Sequence, residues 1–322
     1  MPEGQSLALR ETLKEDYRTI MRALEREGVS LAEFQTPSNW QGFCYIAAVW
    51  SVLVAMIALW LAGPVWAKAL AFLGFGFIGH ALQLIMHEAS HNSLLTSRRW
   101  NDIVGDAFAA LPAGHTVESY RASHFLHHKF VNLDQDPTGF ISRPSLSRRQ
   151  VWLRLLALLL GRPIIDLLLR TLRGRRADHG VGISGREARI AQIERRRLLK
   201  VVAFHLPLLA VASWFGQAEL WFAWFVALVS VSTFIDGLRV VVEHRAGPAD
   251  PPGFHTRSHH VSTVLSWIVA PVFQYHWEHH VLPSVPHCQL RRLHELLVKN
   301  GVPQALPPRG GPLGAFRKAM SA

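Results

Sequence analysis

The sequence predicts an all-α multi-pass membrane protein: four transmembrane helices in two hairpins, with a cytoplasmic helical cap. Three observations predict it. The 322 residues are 49% hydrophobic and only 18% charged, with positive mean hydropathy, too apolar for an ordinary soluble domain. Apolar stretches of membrane-spanning length occur in two closely spaced pairs. The chain carries 18 histidines, several of them clustered beside those stretches.

The elements follow in order. Residues 1–40 are expected to form a cytoplasmic amphipathic helix. MPEGQSLALRETLKEDYRTIMRALEREG mixes both signs of charge at helical spacing and lacks the apolar core of a signal peptide. Gly42 to Ala67 carries no charge, and Gly63-Pro64 divides it into a first span at about 43–62 and a turn. A second span at about 69–86 ends at the stretch IMHEASH. A third at about 198–215 and a fourth at about 220–236 are joined by the short turn GQAE. Val151 to Leu172 is broken by Arg154, Arg162, Asp166 and Arg170, and reads as an amphipathic helix lying on the membrane. Val264 to Phe273 is too short to cross. Residues 301–322 are expected to be a flexible C-terminal tail.

Charge sets the sidedness. Between Arg143 and Lys200 stand 15 Lys or Arg against Asp166, Asp178, Glu187 and Glu194, so that loop is cytoplasmic by the positive-inside rule. Both hairpins then dip in from the cytoplasm and both termini are cytoplasmic. Trp40, Trp60, Trp66, Trp214 and Trp221 sit near span ends, as interfacial aromatics do. A net charge of +11 could indicate nucleic acid, but the cations flank apolar spans, so an anionic membrane surface is the expected partner and nucleic acid is not. Cys44 and Cys288 form no C-x-x-C pair, which excludes a cysteine metal site and an iron–sulfur cluster.

The histidines fall into three clusters. His87 and His91 are spaced i, i+4. SHFLHHKF supplies His124, His127 and His128, and YHWEHHVLP supplies His276, His279 and His280, each as H-x-x-H-H. With four spans all three clusters lie on the cytoplasmic side. On a helix, i and i+3 or i+4 share a face, so each cluster aims at least two imidazoles in one direction. Eight imidazoles exceed what one tetrahedral zinc can use and suit two metals of higher coordination number. Neutral imidazole binds iron well and leaves positions open for oxygen.

The three clusters resemble the histidine boxes H-x3-H, H-x2-H-H and H-x2-H-H of the membrane fatty-acid desaturase and hydroxylase superfamily, in order and with the second pair of spans between boxes two and three. HHKFVNLDQDP resembles the segment after box two, with Asp136-Pro137 closing it. DGLRVVVEH resembles the L-R-x-x-A-E-H element of bacterial members, although Val242 stands where Ala is frequent. HWEHHVLPSVPHCQLRRLH resembles the family's H-L-E-H-H-x-x-P-x-V-P ending. The resemblance covers the chain from about the first span to Leu297 and gives a desaturase-like membrane domain over 41–300. It implies that His87, His91, His124, His127, His128, His276, His279 and His280 bind two iron ions (Fe2+), with His244 a further ligand. Glu88, Asp136, Glu243 and Glu278 are then candidates to hold ligand imidazoles. It implies O2 as co-substrate, with electrons from an external carrier of ferredoxin, rubredoxin or cytochrome b5 type, since no H-P-G-G of a cytochrome b5 domain occurs in this sequence. It further implies a multi-pass protein of the bacterial inner membrane with its active site in the cytoplasm.

The expected activity is O2-dependent desaturation of a fatty acyl chain or related lipid. Hydroxylation by the same machinery, or desaturation of a small amino-acid-like compound, remains open. His87-Glu88-x-x-His91 alone also matches H-E-x-x-H, the signature of a zinc metalloprotease, with Asp236 a superficial third ligand. That reading leaves six box histidines unexplained. His255, His259 and His260 form a similar cluster, HTRSHH, but follow Pro-Pro-Gly and are expected to be non-ligands. His80, inside the second span, is either a buried packing residue or part of a substrate path. His115, His179, His205, His287 and His294 are expected to be solvent-facing, loop or packing residues. The arginine-rich RRADHGVGISGREARIAQIERRR is either a solvated surface over lipid or a dock for an acidic carrier. From the placement of the spans, a substrate path is expected to enter between the second and fourth, near the small residues Gly74, Gly76 and Ser230.

Overall fold

The computed structural model describes residues 3–162, 165, 185–247, 250, 253–259, 273–306 and 311–321, which are helical or irregular with no strand among them. Helix α1 is Glu3–Arg26, α2 Asn39–Ala62 and α3 Val65–Ser90. Helix α4, Arg98–Gly105, runs into a π-helical turn at Asp106–Ala110; α5 is Val117–Phe130, α6 Gly139–Ser142 and α7 Arg148–Leu159. Helix α8 is Gly185–Trp214. Helices α9, Ala218–Ala227, and α10, Thr233–His244, are joined by a second π-helical turn at Leu228–Ser232. The cap is completed by α11, His276–Val281, α12, His287–Lys299, and α13, Gly311–Ala319.

Four segments are long and apolar enough to cross a membrane: Leu31–Ala62, Val65–Ser90, Arg189–Trp214 and Ala218–His244. The first hairpin turns at Gly63-Pro64, where proline starts α3 without needing an N–H partner. The second turns at Gly216, whose φ of +68° closes α8 with a Schellman motif, Gln217 N donating to Ala212 O at 2.7 Å. Only 6% of the most apolar window of α8 is buried within the protein, against 56% for α3, so lipid must cover the outer face of α8. Trp40, Trp66 and Trp214 are exposed at span ends, whereas Trp60 is buried and Trp221 half-buried.

Helix length carries two span ends into the cap. At 1.5 Å per residue, the 26 residues of α3 reach about 39 Å, beyond the ~30 Å hydrocarbon core. The α9–α10 unit runs alongside α3 in the same direction. Both therefore end on the same side, one at His87 and the other at His244.

Close packing joins α3 to this unit. A methyl added at Gly76 would fall 2.3 Å from Val231 Cγ1, and one at Gly79 2.5 Å from Leu228 Cδ2. Small residues here let two backbones approach rather than line a path. The expected substrate path between the second and fourth spans is filled at this depth. Gly74 instead faces the first span, where its methyl would meet Met56 Sδ at 2.6 Å.

In the cap, α1 lays Ile20, Ala23 and Leu24 against Trp277, Leu290, Leu293 and Leu297 of α11 and α12. Helix α7 buries Val151, Leu155 and Leu158 against α10 and leaves Trp152, Leu153 and Leu156 exposed, a two-faced helix as expected for a membrane surface. The remainder of the expected amphipathic segment, most of the arginine-rich stretch, and residues 264–272 of the short apolar run lie outside the described residues.

The C-terminus differs from the loose tail expected. Helix α13 packs Ala319 and Met320 against Ile141, Leu155 and Val240. The fully buried Arg245 donates to three main-chain carbonyls, those of Ala319 at 2.9 Å, Arg143 at 2.6 Å and Leu146 at 2.5 Å. A buried guanidinium needs such acceptors, and the C-terminal turn supplies one of them.

Candidate metal centre

Each histidine cluster has a local reason for its direction. At the end of α3, His87 and the C-cap residue His91 lie one turn apart with ring centroids 5.0 Å apart. Helix α5 begins with a reciprocal capping box: Ser119 N donates to Thr116 Oγ1, and Thr116 N to Ser119 Oγ, both at 3.1 Å. Val117 N also donates to Asp106 Oδ1 at 2.7 Å, which ties the start of α5 to the start of the π-helical turn. Helix α11 is fixed by Trp277, whose N–H donates to Ser258 Oγ at 3.0 Å and whose Nε1–H donates to Asp16 Oδ2 at 2.9 Å.

These elements bring nine histidines into two adjoining groups. Side-chain nitrogens of His87, His91, His124, His128 and His279 lie within 4.8 Å of one another, and those of His127, His244, His276 and His280 do likewise. The groups touch where the rings of His128 and His280 stack, with centroids 4.2 Å apart. Neighbouring helical residues point about 100° apart, so each H-x-x-H-H serves both groups. From α5, His124 and His128 enter the first group and His127 the second; from α11, His276 and His280 enter the second and His279 the first.

The nitrogens face one another. His124 Nε2 lies 2.9 Å from both His91 Nε2 and His128 Nε2, and His128 Nε2 lies 3.1 Å from His279 Nε2. In the second group His276 Nε2 is 2.9 Å from His244 Nε2, and the buried Nε2 of His280 has no hydrogen-bond partner among the described residues. Burial holds His124, His128, His276, His279 and His280 well below the ordinary imidazole range, so these rings are neutral. Neutral rings meeting nitrogen to nitrogen set lone pairs against one another, and a cation resolves that repulsion. Two imidazoles at right angles on a metal with bonds of about 2.1 Å have nitrogens about 3 Å apart, the spacing observed. The donor set therefore fits one metal ion per group.

Carboxylates and carbonyls hold the outer sides of the rings. His127 Nδ1 lies 2.9 Å from Asp136 Oδ1 and His87 Nδ1 lies 3.3 Å from Glu88 Oε1. His244 Nδ1 donates to His255 O at 2.9 Å, which fixes its tautomer and leaves Nε2 facing the group. Burial pushes the Asp136 carboxyl up, but hydrogen bonds from His127 and from the N–H groups of Thr138 and Asn132 bring it below the ordinary carboxylate range. Glu243 Oε2 approaches His276 Nε2 at 3.2 Å and accepts from Arg239 Nη1 at 2.7 Å. Glu278 accepts from His294 Nδ1 and from Ser258 Oγ rather than holding a box histidine.

Sequence reasoning missed four partners. His287, expected to be peripheral, approaches Glu88 Oε2 through Nδ1 at 3.1 Å and donates to it through its backbone N–H at 3.0 Å. His294 is buried and holds Glu278. Asp16, on the N-terminal helix, anchors Trp277. Asn132, in the left-handed region at φ +61°, donates to His244 O at 2.9 Å. No spacing rule points from any of these to its partner; the short polar side chain of Asn132 in HHKFVNLDQDP was the nearest to a signal. His255 and His259 lie outside both groups, and His260 and His179 lie outside the described residues. His80 is buried, with Nδ1 3.9 Å from Asp236 Oδ1.

Fold and site together define a multi-pass helical membrane protein with a buried polyhistidine centre. A family profile described as fatty acid desaturase matches residues 64–311, about three quarters of the chain. The chain belongs to the fatty acid desaturase family, whose members are oxidoreductases. It is 35% identical over 103 residues to dihydrorhizobitoxine desaturase of Bradyrhizobium elkanii, a match covering 31% of this chain and 29% of that protein. It is 28% identical over 258 residues to the sphingolipid delta(4)-desaturase/C4-monooxygenase DES2 of Rattus norvegicus, covering 74% of this chain and 69% of that protein. The Bos taurus protein of the same name is 27% identical over 254 residues, covering 74% of this chain and 69% of that protein.

Proposed function

We propose that this protein is an O2-dependent oxidoreductase that desaturates a fatty acyl chain or related lipid at a dinuclear iron site. The observation that carries the reading is the division of nine histidines into adjoining groups of five and four. His87, His91, His124, His128 and His279 would hold one ion, and His127, His244, His276 and His280 the other. Two ferrous ions bound there would supply the O2-dependent cleavage of an unactivated C–H bond.

The chain's own residues do the rest. Asp136, Glu88 and the His255 carbonyl keep the protons of His127, His87 and His244 on Nδ1, so that Nε2 lone pairs face inward. Seven of the nine histidines are buried and His91 and His128 are half-buried, which limits access of bulk water. The electrons come from an external carrier of ferredoxin, rubredoxin or cytochrome b5 type. By the excess of Lys and Arg between the hairpins, the histidines and both termini face the cytoplasm, in a bacterial inner membrane.

Two observations weigh against a zinc protease. His87 and His91 share their group with three further histidines. Glu88, the would-be general base, is 2% exposed and already engaged by Ser93, His87 and His287. Hydroxylation stays a second reading, because a relative's printed name joins desaturase and C4-monooxygenase. Mass analysis of lipids from cells making the iron-loaded protein tests the reading. A lipid lacking two hydrogens supports desaturation and one gaining an oxygen supports hydroxylation. No oxidised lipid, or amino-acid-like product, from fully loaded protein supplied with a working reductase would overturn it.

A further inference from the structure

The four-histidine group draws its rings from three elements: His127 from α5, His244 from α10, and His276 and His280 from α11. Helices α5 and α10 are distant in sequence, so no local spacing fixes His127 relative to His244. Their rings nevertheless stand edge to face with centroids 4.6 Å apart. A metal ion held by both needs that separation set to within a fraction of an ångström.

One residue reaches both rings. Asn132 follows the end of α5 with φ at +61°, a left-handed conformation that asparagine tolerates. Its backbone N–H donates to Asp136 Oδ2 at 2.9 Å, and the other oxygen of that carboxylate lies 2.9 Å from His127 Nδ1. Its side chain reaches the other ligand. Nδ2 donates to His244 O at 2.9 Å and to Phe254 O at 3.2 Å, with His255 O 3.4 Å away. The His244 ring itself donates through Nδ1 to His255 O at 2.9 Å. The amide of Asn132 thus holds both the main chain that carries the His244 ring and the segment that accepts from it. Three carbonyl oxygens around one atom admit only a donor, so the amide nitrogen, not its oxygen, belongs there.

We propose that Asn132 is a positioning residue of the four-histidine site, setting His127 against His244 by joining the turn after α5 to the chain that follows α10. This role rests on the two-metal reading above. It also accounts for the residue type. Aspartate has the same shape and tolerates the same backbone, but would set a carboxylate against three carbonyl oxygens. Glycine adopts this φ freely and keeps the N–H to Asp136, but has no amide to hold His244. A residue that only shaped the turn would be replaced by either without loss at the metal.

The test titrates Co2+ into the metal-free, full-length protein in detergent and counts bound ions, for wild type, Asn132→Gly and Asn132→Asp. Wild type should bind two ions. In each variant one ion should keep its wild-type affinity and the other should bind about 10- to 100-fold more weakly, with the larger loss in Asn132→Asp. His244→Ala identifies the weakened ion: added to Asn132→Gly, it should leave the tight ion unchanged. Thermal unfolding of metal-free Asn132→Gly should match wild type, because glycine fits the turn. Wild-type affinity for both ions in both variants would overturn the role and leave Asn132 as a turn former. Equal weakening of both ions in cooperatively folded Asn132→Gly would also overturn it, since a general loosening of the cap acts on both sites. Fewer than two ions in wild type would contradict the two-metal reading itself, and this role with it.

Discussion

His127 Nδ1 and Asp136 Oδ1 stand 2.9 Å apart, with Thr138 Oγ1 3.0 Å from the same nitrogen. The turn after box two therefore folds back to grip a ring of the four-histidine group. Asp136→Asn keeps an acceptor and removes the charge. The expected loss is about 10- to 100-fold in metal affinity, with little change in fold. Competition against a graded series of chelators measures it. Affinity equal to wild type would show that Asp136 only shapes the turn.

Gly76 sets the distance between α3 and the π-helical turn at Leu228–Ser232. Gly76→Ala should destabilise by about 1–3 kcal/mol, because its methyl would overlap Val231. Val231→Ala in the same chain should restore much of that loss. Thermal unfolding in detergent reads both. A change of acyl-chain preference with full stability would instead return a substrate path to this position.

Asp16 makes stability depend on pH. Burial comes first among the causes that raise its carboxyl to about 6, opposed by hydrogen bonds from Trp277 and Gln304. Its folded value lies above the unfolded value of about 3.9, so its contribution is complete below pH ~4 and is lost as pH rises through about 6. The amount is on the order of 2–3 kcal/mol. Asp16→Asn should unfold with a flatter pH dependence, and its advantage over wild type should grow from pH 5 to pH 7.5. Parallel melting curves across that range would contradict this assignment.

Arg245 fastens the C-terminal helix. Arg245→Met leaves the carbonyls of Ala319, Arg143 and Leu146 without this donor, each at a cost of about 1–3 kcal/mol. Trypsin should then cut after Arg317 or Lys318 several-fold faster than in wild type. Unchanged cleavage would mean that apolar packing of Ala319 and Met320 suffices.

The histidine set was legible because the boxes are local: spacings of three and four on a helix fix shared faces, and His124, His127 and His128 needed no knowledge of the rest of the chain. The four apolar segments were legible for the same reason, since span length is a property of contiguous sequence. What stayed hidden was long-range pairing. Asp16 and Trp277 are 261 residues apart, and His287 and Glu88 199. The sequence offered a Gly- and Pro-rich terminus with no reason to pack, because its partner, Arg245, lies 74 residues before Ala319. Gly74 and Gly76 read as space for substrate because a small residue beside a cavity and one beside a helix look alike until the neighbour is known.

The most direct measurement is the number of metal ions per chain in protein purified from iron-supplemented cells, for wild type and for alanine variants of His279 and His244. Counting precedes identification, since such sites also take up zinc. The expected result is near two per chain in wild type and near one in each variant, His279→Ala emptying the five-histidine group and His244→Ala the other. Near one per chain in wild type, kept by both variants and lost only with His87 or His91, would contradict a dinuclear centre and make the H-E-x-x-H pair a site of its own.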